Sequence, residues 1–118
     1  MSARHAAVIA RLIDAINERD GARRGALVAE VFTEDCRYTD PDDDARGRDA
    51  VAALFGRLAE GRPTDLAFSL AGPVDAHHEQ ARFTWHFGPP GGRAVASGTD
   101  VAVFAGGRVR RLYAFFDR

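Results

Sequence analysis

Two carboxylates, far apart in the chain, carry the chemistry that can be read from this sequence. The first is Asp40, in the stretch FTEDCRYTDPDDDARGRD of residues 32–49, where CRYTD reads as a short strand and Pro41 follows the acid directly. Proline lacks a backbone donor and steers the preceding residue away from helical geometry. Asp40 therefore stands where a strand gives way to a loop, a position from which catalytic groups are commonly presented. Beside an apolar hollow such a carboxylate gains proton affinity and becomes a candidate general base. A solvated turn capped by Asp40 is the other reading of the same residues. The second acid is Asp100, in VASGTDVAVF of residues 95–104. Strand alternation puts it on one face with Ala96, Gly98, Ala102 and Phe104. Aspartate is disfavoured inside strands and costly to bury unpaired. With small neighbours such as Gly98, Asp100 is expected to face a cavity; the other reading is a buried ion pair with Arg110 of the next strand. If both acids face one cavity, like charge pushes one of them toward its neutral form. A neutral Asp can donate a hydrogen bond to a developing oxyanion. Tyr38, two residues before Asp40 and so on the same strand face, is a further candidate donor.

Hydrophobic periodicity supplies the elements that must hold these groups. Residues 4–19 place Ile9, Leu12, Ile13 and Ile16 at helical spacing, and residues 24–33 repeat the pattern with Leu27, Val28, Val31 and Phe32. A third helix, GRDAVAALFGRLAEG, has Val51, Leu54, Phe55 and Leu58 as its stripe and ends at Gly61 and Pro63. The short run Asp42 to Asp44 before it reads as a solvated loop. From residue 65 the pattern changes. DLAFSLAGPVDAH, EQARFTWHF, RAVASGTDVAVF and RVRRLYAFFD read as strands separated by turn-like residues. Helices first and strands after argue an α+β fold, with the helices covering one face of a curved sheet. Phe83, Trp85 and Phe87 share a face and are expected to line a pocket with Leu112, Ala114 and Phe116 of the last strand. Gly98, Ile16 and Phe55 are expected there too, although plain core packing would use the same residue types. The opposite face of the Asp100 strand (Val95, Thr99, Val101, Val103) reads as core or as a subunit contact, which suggests a homodimer through the sheet.

Composition removes several alternatives. A chain of 118 residues with a net charge of −1 fits one domain spanning 1–118, and it lacks the basic block that nucleic-acid binding needs. All 16 basic residues are Arg, so Schiff-base chemistry and the P-loop lysine are excluded. One cysteine, Cys36, permits neither an intrachain disulfide nor a Cys-rich zinc site, and reads as a small buried hydrophobe. A calcium loop beginning at Asp42 would need a bidentate Glu where Ala53 stands. His86 lies on the strand face opposite Trp85, and His77 and His78 sit in a turn. No metal and no cofactor are expected. No run is apolar enough for a signal peptide or a membrane span, so a cytoplasmic protein with no membrane partner is expected.

The ordered segments VFTEDCRYTDP, GRDAVAALFGRL, RFTWHFGPPGG and ASGTDVAVFAGGRVRRLYAFFD cover nearly the whole chain. Together they resemble the nuclear transport factor two-like superfamily, and within it the SnoaL-like and ketosteroid isomerase-like branch. The resemblance implies a conical half-barrel, in which a curved, mostly antiparallel sheet packs on three N-terminal helices around a pocket. In ketosteroid isomerases an Asp base moves the proton while a Tyr and a protonated Asp donate to the enolate oxygen. The resemblance puts Asp40 at the base and Asp100 at the protonated acid. The tyrosine of the first helix has an apolar counterpart here, near Ile16. Related cyclases use a late-strand acid over a polycyclic ketone, a part Asp100 could fill alone. The Asp–Arg–Asp array of epoxide hydrolases is not matched by the spacing of Arg82 and Arg93. The resemblance thus implies a cofactor-free acid/base isomerase or cyclase acting on a small or polycyclic apolar carbonyl compound. A non-catalytic module that binds a hydrophobic ligand, or that dimerises, is the alternative, because one scaffold hosts many functions.

Overall fold

The computed structural model describes residues 2–117. Helix α1 (Ser2–Asn17) buries Ile9, Leu12 and Ala15, with Ile13 and Ile16 half-buried beside them. Helix α2 (Gly21–Val31) starts at Asp20, whose side chain accepts the Arg23 backbone N–H at 2.9 Å. This is the N-cap geometry that satisfies an otherwise orphaned donor. Periodicity carries α2 to residue 33, but the helix stops at Val31. Phe32 adopts φ −106°, ψ 149° and opens strand β1 (Phe32–Thr39), where its ring stays buried. Helix α3 (Arg48–Glu60) follows Gly47, whose φ of +87° lies in the left-handed region that favours glycine.

The remaining strands are β2 (Asp44–Arg46), β3 (Ala67–Leu70), β4 (Asp75–His77), β5 (Gln80–Gly88), β6 (Ala96–Ala105) and β7 (Arg108–Phe116). They form an open, curved, seven-stranded sheet in the order β2-β1-β7-β6-β5-β3, with β4 also paired to β5. Only the β1–β7 pair is parallel, so the sheet is mixed. Two strands depart from the sequence reading. β2 lies in the acidic run taken for a loop, where Asp44 grips Arg37 through Nε and Nη2 at 2.9 and 2.8 Å. The single strand expected over residues 65–77 is two, broken at Gly72 (φ +97°) and Pro73.

Polar ties hold the helices on the concave face. The Arg62 guanidinium donates to the Ile16 and Asn17 carbonyls at 3.2 and 2.9 Å, and Arg19 donates to the Ala59 carbonyl at 3.0 Å. Cations at helix C-termini satisfy the last carbonyls and suit the dipole. The Asn17 amide pairs with the backbone of Phe68 in both directions, at 2.8 and 2.9 Å, much as a neighbouring strand would. That bond fixes the end of α1 against β3. Among the described residues no helix is long and apolar enough to cross a membrane.

Register sets what meets what on the inner face. Phe83 lies opposite Asp100, Trp85 opposite Gly98, and Asp100 opposite Ala114. Gly98 has a specific steric reason: a Cβ there would collide with the Trp85 ring and the Phe115 carbonyl oxygen. Gly98→Ala should therefore cost roughly 1–3 kcal/mol through overpacking. A urea titration would read this as a lower midpoint; an unchanged midpoint would mean that both the indole and the β7 backbone at Phe115 give way freely.

Candidate active site

Between the concave face and helices α1 and α3 lies a cavity of about 360 Å³, a size within the range of small-molecule sites. Asp40, Asp100 and Tyr38 all line it. So do Ile16 and Phe55 from the helices, Phe83, Trp85 and Phe87 from β5, and Leu112, Ala114 and Phe116 from β7. Gly98 is not on the lining; it is the bare backbone against which the Trp85 ring rests. Leu12, Ile13, Leu58, Phe68, Ala96, Ser97 and Asp117 also line the cavity and were missed in the sequence. The alternation of AFSL could have pointed to Phe68, and the α1 and α3 stripes to the helical residues. Nothing in the sequence pattern marks Ser97 or Asp117.

Asp100 is 7% exposed. Its Oδ1 accepts the Trp85 indole N–H at 2.8 Å, the one hydrogen bond its side chain makes among the described residues. Arg110, the expected ion-pair partner, instead meets Asp35 at 3.3 Å. Burial raises the Asp100 carboxyl from 3.8 to about 7; the indole bond opposes the rise and the charge of Asp40 adds to it. Desolvation disfavours the charged form, and no cation among the described residues restores it.

Asp40 is held differently. Its Oδ1 accepts the backbone N–H groups of Asp42 and Asp43, both at 2.8 Å, and its own N–H donates to the Asp43 carbonyl at 3.0 Å. This is an Asx turn of the kind a short acidic loop after a strand can form. Its Oδ2 accepts the Tyr38 hydroxyl at 2.6 Å. Burial, and then that bond to Asp40, push the Tyr38 phenol well above its ordinary range. Tyr38 is thus a neutral donor whose one proton is already engaged. Its hydroxyl is committed to Asp40 Oδ2, while its ring lines the cavity.

The two acids are made unlike by their surroundings. Asp40 is a fixed acceptor, held at three points. Asp100 has one oxygen on the indole and one free of hydrogen bonds, in an apolar wall. Such a pair can divide acid and base roles between its members. The three histidines weighed in the sequence, His77, His78 and His86, are exposed and away from this lining. Cys36 is buried, and burial pushes its thiol up, which makes it inert rather than nucleophilic.

The sequence profile of the SnoaL-like domain matches residues 9–112. A candidate isomerase of the SnoaL-like family from Agrobacterium tumefaciens str. C58 superposes with a TM-score of 0.90 at 33% identity, covering 98% of this chain and 99% of that one. A candidate SnoaL-like polyketide cyclase from Jannaschia sp. CCS1 gives 0.77 at 20% identity, covering 98% and 87%. A candidate ketosteroid isomerase from Kribbella flavida DSM 17836 gives 0.72 at 19% identity, covering 99% and 80%. At these identities the last two share the fold. No curated protein matches the chain.

Proposed function

The chain belongs to the SnoaL-like domain family, and on that footing we propose that it is a cofactor-free acid/base catalyst of the isomerase or cyclase kind. Its substrate is a small or polycyclic apolar carbonyl compound. One observation carries this reading: Asp100 is 7% exposed, has no cation beside it among the described residues and shares an apolar cavity with a second carboxylate. A burial that leaves a carboxyl near neutrality is costly to the fold and is characteristic of functional acids. In the proposed reaction Asp40 removes the proton from the carbon next to the carbonyl. The bonding pair moves onto the carbonyl oxygen as an enolate, and neutral Asp100 donates its hydrogen bond there. Asp40 then returns the proton, to another carbon in an isomerase. The generic test is hydrogen–deuterium exchange at the α-carbon of 2-tetralone in D₂O, followed by proton NMR. Exchange above the buffer rate is expected; a rate equal to that of buffer counts against the reading.

The non-catalytic alternative has one observation in its favour. The resemblance implies an apolar counterpart, near Ile16, to the isomerases' tyrosine, and the proton of Tyr38 is already bound to Asp40. A saturable change in Trp85 fluorescence with no α-exchange would select it. We also propose that a second copy covers the outward face of the sheet, where Val95 and Phe115 are 66% and 60% exposed and Tyr113 pairs across from Val101. Sedimentation should then give the mass of a dimer, and Phe115→Glu that of a monomer.

A further inference from the structure

Outside the cavity, one pair of side chains holds its nitrogen atoms at a spacing that a metal ion fits. Strands β4 and β5 are joined by a two-residue turn, His78 and Glu79, with His77 paired across to Gln80. The Nδ1 atoms of His77 and His78 lie 2.9 Å apart, with their ring planes at 89°. Two ligands on bonds of about 2.0 Å to one ion stand roughly 2.8 Å apart at a right angle and roughly 3.3 Å apart at a tetrahedral angle. The observed spacing matches the right angle, that of neighbouring ligands in a square plane. Without an ion, a hydrogen bond spans the same gap, one Nδ1–H donating to the other Nδ1.

The turn is built to hold this pair. In an extended strand successive side chains point to opposite faces. His78 departs from that pattern with φ +53°, the one left-handed non-glycine residue among those described, and its ring comes round to meet that of His77. The His78 carbonyl accepts the Nε2–H of His5 at 2.8 Å, and the Glu79 carbonyl accepts the Phe104 backbone N–H at 2.8 Å. His5 is itself buried and stacked on the Phe104 ring at 4.0 Å. The backbone of the turn is thus pinned to α1 and β6. The Gln80 side-chain amide meets His77 Nε2 at 3.1 Å. A metal-binding imidazole takes a partner of this kind on its other nitrogen, which fixes the tautomer and the ring. With Gln80 Oε1 turned to that nitrogen, the His77 proton sits on Nε2 and the Nδ1 lone pair is free. Both rings are exposed, so small rotations can converge the two lone pairs on one ion.

We propose that His77 and His78 form a two-nitrogen site for Cu(II), bound through both Nδ1 atoms in a square plane whose other positions are taken by water. Planar nitrogen ligation suits Cu(II), which also stands above Ni(II) and Zn(II) in affinity for a given site. No third His, Cys, Asp or Glu among the described residues joins the pair, and a closed zinc site needs four protein ligands. Asp75, two residues before His77, is engaged with Arg82 at 2.8 Å. The sequence led to an expectation of no metal, because adjacent histidines in a turn carry no ligand spacing; the distance between their nitrogens arises only in the fold. Neither histidine lines the cavity, so this site stands or falls apart from the acid/base reading.

Titration calorimetry of the untagged full chain with Cu(II), Ni(II) and Zn(II) salts tests this, with electron paramagnetic resonance of the Cu(II) form. A single equivalent of Cu(II) is expected, held on the order of tenfold or more tighter than Ni(II) or Zn(II), with hyperfine splitting from two nitrogens. His77→Ala and His78→Gly should each weaken Cu(II) binding on the order of tenfold or more, and Gln80→Ala by less. His78→Gly separates loss of a ligand from misfolding: glycine accepts φ +53° freely and the carbonyl at that position remains for His5. Its urea midpoint should not fall. No Cu(II) uptake, or uptake equal in wild type, His77→Ala and His78→Gly, overturns the proposal and leaves a hydrogen-bonded pair of rings. A spectrum with one nitrogen does the same, as does Zn(II) bound as tightly as Cu(II).

Discussion

Asp40→Asn is expected to lower α-proton exchange by about 10²–10⁴-fold, the usual contribution of a positioned general base. The substitution is nearly isosteric. The amide oxygen can still accept the Asp42 and Asp43 backbone N–H groups that hold the turn. What disappears is an acceptor able to take and return a proton, together with the carboxylate oxygen that accepts the Tyr38 hydroxyl. Circular dichroism and the urea midpoint should therefore stay close to wild type while exchange collapses. Tyr38→Phe should cost less, because it removes a group that orients the base and leaves the base in place. A loss below about tenfold in Asp40→Asn would demote Asp40 to the cap of its loop, the bland role that its sequence context also allows.

The second large effect is a gain. Asp100→Asn should make the protein more stable at alkaline pH while also impairing exchange. The folded Asp100 carboxyl titrates at about 7, against its ordinary 3.8. Between those values the folded chain keeps a proton that the unfolded chain has released. The contribution of Asp100 to stability is therefore complete below about 3.8, falls as pH rises through that window, and levels off above about 7. At about 1.36 kcal/mol per unit, a shift of roughly three units corresponds to about 4 kcal/mol. Asparagine has no such titration and its oxygen can still accept the Trp85 indole N–H. The difference between variant and wild type, from urea unfolding at pH 4 and pH 8, should thus grow with pH toward about 4 kcal/mol. A difference that does not change with pH would mean that Asp100 is ionised in the folded protein across the whole range.

The part of the site carried by strand alternation was legible in the sequence. Phe83, Trp85 and Phe87, like Ala96, Asp100 and Ala102, share a face whatever the neighbouring strand does. What depended on register or on loop conformation was not. Alternation places Arg110 on the face of Leu112 and Ala114, within reach of Asp100. A register shift between Val103 and Phe104 breaks that alternation: Phe104 pairs with Val109 and Val103 with Arg111, and Arg110 is turned outward to Asp35. Such bulges add an unpaired residue and re-aim its side chain. Gly98 read as open space because its role is set by Trp85 across the strand pair, not by its own neighbours. The destination of the Tyr38 proton depended on the turn that swings Asp40 back beneath it. β2 and the Ser97–Asp117 contact carry no hydrophobic period at all.

The whole account turns on a proton held by Asp100 near neutral pH. Carbon-13 labelling of the aspartate carboxyls, with Asp100→Asn to assign the resonance, allows that group to be followed by NMR from pH 3 to pH 9. The account predicts an apparent midpoint near 7, moving lower in Asp40→Asn because the neighbouring charge is gone. A midpoint near 4, unmoved by Asp40→Asn, would contradict it.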